Sequence, residues 1–123
     1  MTTPNIHNEL REQLQQLQAE LQLQKLWSSV APDPKALEST VPFMYDTLKI
    51  HEWLQWVYIP RLHALIDADG VLPHQSHVFP LAEHEWEKRT DFDKQHLLRL
   101  INRIDATLNG CAMTPDLPQE SQG

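Results

Sequence analysis

One cysteine, three glycines and ten cations are what this 123-residue chain has in short supply, and each shortage excludes something. Cys111 stands alone, so no intramolecular disulfide can form, which fits a reducing cytoplasm. It follows the last predicted helix with no base positioned beside it, so a nucleophilic role is not expected. Gly70, Gly110 and Gly123 are scattered, so there is no glycine-rich loop to cradle a phosphate. The motifs G-x-S-x-G and H-E-x-x-H are also absent.

The cation deficit is against 17 acidic residues, a formal net charge of -7. A surface that neutralises phosphates needs a basic face, so direct nucleic-acid binding is not expected. The same charge suits contact with a basic protein. No stretch of about 20 apolar residues exists, which argues against a membrane span. The opening "MTTPNIHNELREQLQQ" lacks the apolar segment of a secretory signal. The expected location is the cytoplasm.

What is present reads as helix. Thr3 and Pro4 offer an N-cap and a first-turn proline, and Ile6, Leu10, Leu14, Leu17 and Leu21 form one apolar stripe. That helix is expected to reach Trp27 or Ser28. Its marginal heptad pattern, breaking at Gln24, favours core packing over a coiled coil. In "APDPKALEST" Asp33 can cap a short helix with Pro34 at its first position. A long helix follows from about Lys49 to Asp67 or Ala68, capped by Asp46 or Thr47 and stopped by Gly70 at positive φ. "GVLPHQSHVFP" reads as a loop and "LAEHEWEKR" as a short helix carrying Trp86. Thr90 or Asp91 would cap the last long helix, with Leu97, Ile101, Ile104 and Leu108 as its stripe and Gly110 as its end. The expected class is all-α, a small bundle of three long helices and about two short ones. Residues 1–110 form the domain and 111–123 a disordered polar tail.

"HEWLQWVYIPRLHALI", residues 51–66, is the most unusual stretch. On a helical wheel Ile50, Trp53, Leu54 and Val57 share a face, with Tyr58 and Leu65 beside it. Trp56, Ile59 and Ile66 point elsewhere, so apolar residues surround the helix, which must be central or in part face another chain. Pro60 removes a donor and clashes with the carbonyl of Trp56, so a kink is expected there. Arg61 falls inside the apolar face. It either pairs with Asp46 or Asp105 in a structural ion pair, or serves an anionic ligand. Trp53, Trp56 and Tyr58, with Gln55 and Arg61 among them, suit either a core or an interface, Trp53 leaning to the core more than Trp56. Gln55 lies toward the polar side, where it could hydrogen-bond a partner's backbone.

The pattern "PF--DT----EWLQWV-IPR-H-L-D" is carried by Pro42, Phe43, Asp46, Thr47, Glu52 through Val57, Ile59 through Arg61, His63, Leu65 and Asp67. With Leu72-Pro73, Pro80, Ala82-Glu83 and Ile104-Asp105, it resembles the YqcC-like family of small bacterial helical proteins of uncharacterised function. The resemblance spans roughly residues 5 to 110. It implies an all-α bundle, often encoded beside a tRNA pseudouridine synthase, and brings no catalytic residues with it.

Seven histidines raise the question of a metal. His74 and His77 in the loop, with His84 and Glu85 beyond, fall short of the three or four converging ligands a zinc site needs. Neither metal nor cofactor is expected. The leading expectation is a non-catalytic helical interaction or adaptor protein. It would self-associate or bind a protein partner, an RNA-modifying enzyme being one candidate. The alternative is a small-ligand, anion-binding protein with a pocket between the helices lined by Trp53, Trp56 and Tyr58, in which Arg61 pairs with a ligand carboxylate or phosphate.

Overall fold

The computed structural model describes residues 6–73 and 75–111. Thr3, Pro4, His74 and the tail from residue 112 lie outside the described residues, so the readings of a first-turn cap, a two-histidine loop and a polar tail do too. The fold is all-α, and among the described residues there is no strand. Its helices are α1 (Ile6–Leu23), α2 (Ile50–Trp53), α3 (Ile59–Asp67), α4 (Val78–Glu85) and α5 (Lys94–Cys111). A π-helical turn, Leu54–Tyr58, joins α2 to α3, so residues 50–67 form one central helix. Pro34–Glu38 and Pro42–Met44 are 3-10 turns.

The stripes assemble the core. α1 packs against α5 and α3, and α4 packs against α5 and α2. Leu10, Leu14, Leu17 and Leu21 are fully buried, as are Leu97, Ile104 and Leu108. Each such side chain removed from water contributes about 2 kcal/mol before ordering costs. Trp86 is the largest fully buried side chain and holds the C-cap of α4, where it meets Phe92 edge-on at 5.2 Å.

Pro60 acts through the turn before it. Lacking an N–H, it cannot bond the carbonyl of Trp56, and its ring crowds that carbonyl. The helix widens to π geometry just upstream, and the N–H of Ile59 reaches back to the Leu54 carbonyl.

Several helix ends differ from the sequence reading. α1 stops at Leu23, short of Trp27, because Lys25 adopts a left-handed conformation with φ 65. The N–H of Leu26 bonds the Leu21 carbonyl (2.9 Å) and that of Lys25 the Gln22 carbonyl (3.1 Å), a Schellman closure without glycine. α3 ends the same way. Asp69, not Gly70, takes the positive φ of 53, while the N–H of Gly70 bonds the Leu65 carbonyl at 2.8 Å. The N-cap of the central helix is Lys49, whose backbone N–H is accepted by the Glu52 carboxylate at 2.8 Å. Asp46 instead accepts the Ser39 hydroxyl at 2.6 Å, and Thr47 donates to the Ala36 carbonyl at 2.7 Å. Asp91 is held by Arg89 through two bonds of 2.7 Å, so Asp93 takes the cap position and accepts from the His96 N–H at 3.4 Å. Gly110 lies within α5, which runs on to Cys111.

Candidate functional site

The aromatic stretch builds a pocket against the segment that precedes α4. Trp53 and Tyr58 lie on one side of the central helix, their rings stacked at 4.9 Å and 29°. Phe43 meets Trp53 edge-on at 5.0 Å. The turn that presents Phe43 is unusual, for Phe43 and Met44 both have positive φ, 59 and 48. A bulky side chain in that region costs about 1 kcal/mol or more, which the surrounding contacts must offset. Opposite these rings stand Pro73, Gln75, Ser76, His77 and Val78, and Arg61 with Leu62 completes the lining of a cavity of about 280 Å³.

The inner wall is held by a buried polar chain. The Ser76 hydroxyl donates to Asp105 Oδ1 at 2.5 Å and lies 3.0 Å from the Tyr58 hydroxyl. Serine has one hydroxyl proton, so with that proton on Asp105 it is Tyr58 that donates to Ser76. Asp105 also accepts the backbone N–H of Phe79 at 2.8 Å and that of Val78 at 3.3 Å. These are orphan donors at the start of α4, and a carboxylate there is favoured by the helix dipole as well. Asn109 takes both backbone groups of Ser76, accepting its N–H at 2.7 Å and donating to its carbonyl at 3.1 Å. Burial drives the Tyr58 phenol well above its ordinary pKa of 10. A hydrogen bond from Ser76 to the ionised form would offset part of that, and the Asp105 charge adds to it.

These contacts place the predicted site residues. Trp53, Tyr58 and Arg61 line one pocket together; Trp56, half-buried on another side of the central helix, does not. Arg61 is not in the core. It is exposed, and among the described residues it has no ion pair, so the expected pairing with Asp46 or Asp105 is not formed. The π-turn breaks the wheel on which Arg61 fell between Leu54 and Val57. Asp46 is engaged by Ser39, and Asp105 serves α4. Gln55 also departs from its reading. It is buried, and its side chain pairs with both backbone groups of Ser28, accepting at 2.8 Å and donating at 2.6 Å. It fastens the segment after α1 to the central helix.

The residues that sequence reasoning passed over are Ser76 and Asn109. The loop reading ended too late, since α4 begins at Val78 and not after Pro80. The only local signal was serine two residues before an apolar run, which is weak without its partner on α5. No three of His, Cys, Asp or Glu come together among the described residues in a group able to hold a metal ion. Among them, too, no helix is long and apolar enough to cross a membrane.

Comparison with known proteins gives a consistent assignment. An Escherichia coli protein, YqcC, is 40% identical over 107 residues, which cover 86% of this chain and 94% of YqcC. A Haemophilus influenzae protein named only as uncharacterized is 38% identical over 104 residues, covering 85% and 96%. A Pectobacterium carotovorum protein named tRNA pseudouridine synthase C is 38% identical over 82 residues, 67% of this chain. The match spans only 22% of that longer protein. The solution NMR structure of E. coli YqcC superposes with a TM-score of 0.75 at 34% identity, covering 96% of this chain and all of the other. Residues 9–107 match the family DUF446, described as tRNA pseudouridine synthase C, and the chain belongs to that family.

Proposed function

We propose that this chain is a non-catalytic helical interaction module that works beside a tRNA pseudouridine synthase. The observation that carries this reading is one of length. The E. coli and H. influenzae relatives match over nearly their whole length. In the Pectobacterium protein the matching segment is about a fifth of a chain bearing an enzyme's name. A module that occurs both alone and joined to a larger chain is suited to act next to that larger part. Covalent joining raises the effective concentration of a contact, and a separate chain must make the same contact by affinity. The net charge of -7 complements an enzyme that handles RNA and so carries a basic surface. Val30, Val41 and Tyr45, exposed in the segment between α1 and the central helix, offer apolar area for such a contact.

The test is to mix the purified chain with the tRNA pseudouridine synthase of the same organism and measure association by sedimentation and calorimetry. A defined complex with a dissociation constant of about 10 µM or tighter, weakened by salt, is the expected result. Two independent species at concentrations several times higher would end the proposal.

A further inference from the structure

The Arg61 pocket has a chemical polarity that its occupant must match. Its walls are mostly rings and aliphatic groups, with the exposed Gln75 and His77 also on the lining, and its volume of about 280 Å³ suits one ring with a short substituent. Its inner polar groups are engaged. Tyr58 donates to Ser76, Ser76 donates to Asp105, and the chain ends on a buried carboxylate. The inner wall therefore offers oxygen lone pairs backed by negative charge, a poor setting for an anion. At the solvent side the order reverses. Arg61 is exposed, lines the pocket, and has neither an ion pair nor a hydrogen bond among the described residues. Arg89, by contrast, is tied to Asp91 and Arg11 lies 3.6 Å from Asp67.

We infer that this pocket binds a single-ring carboxylate, with the ring against Trp53 and Tyr58 and the carboxylate outward on Arg61. The guanidinium presents a planar fork that matches a carboxylate in two parallel bonds. The rings supply the apolar contact, and stacking against aromatic faces orients a flat ligand. The wall is ordered in advance, because Asn109 and Asp105 fix Ser76, Val78 and Phe79 through their backbone groups. Ordering that does not have to occur on binding leaves more of the contact energy as affinity. This site stands on its own geometry, whether or not the module also binds an enzyme. The same chemistry occurs in a free aryl acid and in the carboxyl end of a chain that finishes in phenylalanine.

The experiment is a titration of the full chain followed by assigned 1H–15N NMR, with phenylacetate as probe. Saturable shifts at the Trp53 indole N–H, the Arg61 side chain and residues 75 to 78 are expected. Phenylacetamide has the same shape without the charge and should bind about tenfold more weakly. In Arg61→Gln, whose parent side chain is exposed and unpaired, folding should be unchanged and the two probes should become equal. N-acetyl-Gly-Phe and its C-terminal amide separate the sources. Tighter binding of the peptide acid than of phenylacetate assigns a chain terminus, and its exclusion assigns a free acid; both retain the site. Equal binding of acid and amide to the unaltered protein, or shifts absent from this pocket at millimolar phenylacetate, would overturn the inference.

Discussion

Asp105 caps a helix to which it does not belong. It sits on α5, yet its carboxylate accepts the backbone N–H of Phe79 at 2.8 Å at the start of α4. The nominal N-cap of α4, His77, makes no capping bond with its own side chain. One buried carboxylate thereby joins two helices, fixes the wall of the aromatic pocket and anchors the Tyr58–Ser76 pair.

Replacing Asp105 by alanine leaves two amide N–H groups and a serine hydroxyl without their acceptor. Stability should fall by about 3 kcal/mol, and Tm by about 10 °C. Urea and thermal unfolding check this, and a loss below about 1 kcal/mol would show that α4 is held by packing alone.

Gln55→Leu keeps the bulk and removes both bonds to Ser28. A loss of about 2 kcal/mol is expected, with amide hydrogen exchange rising sharply at Ser28. Unchanged protection at Ser28 would mean that the segment after α1 is fixed by other contacts.

Tyr58 gives the protein an alkaline limit. Its folded pKa is raised above the unfolded value of 10, so the native state holds a proton that the unfolded state releases. The associated stability is fully present below pH 10 and is lost as pH rises above it, by about 1.4 kcal/mol per pH unit. Tyr58→Phe should flatten that decline relative to the parent, while costing about 1 kcal/mol at neutral pH from the bond to Ser76. Absorbance at the phenolate band offers a second check, since the only other tyrosine, Tyr45, is exposed. One of the two should resist ionisation until the fold opens.

Lys25→Gly should stabilise the protein. Lys25 is exposed and left-handed at the end of α1, where glycine carries no steric penalty. A gain of about 0.5–1 kcal/mol, or a Tm higher by about 2–4 °C, is expected from thermal unfolding. A lower Tm would show that Lys25 makes a contact worth more than its backbone strain.

The apolar stripes made the helices legible in the sequence. Leu10, Leu14, Leu17 and Leu21 recur with the helical period, as do Leu97, Ile101, Ile104 and Leu108, and all eight are buried. Period and burial are local consequences of helix geometry, so the all-α class and the long helices needed no further information. Asp33 was legible for the same reason, since the Lys35 N–H it receives at 2.9 Å is two residues away.

The site depended on contacts across the chain. Trp53, Tyr58 and Arg61 could be named as a group, but the opposite wall comes from Pro73 and residues 75 to 78, and its anchors Asp105 and Asn109 lie 29 and 33 residues beyond Ser76. Pro60 announced a disturbance, and the π-turn it accompanies rotated Arg61 out to solvent in a way no uniform wheel could show. Sequence fixes what is local: which residues share a helical face and which can cap their own neighbours. Which carboxylate meets which orphan amide, and whether a cation finds a partner, is decided only when helices distant in the chain pack together.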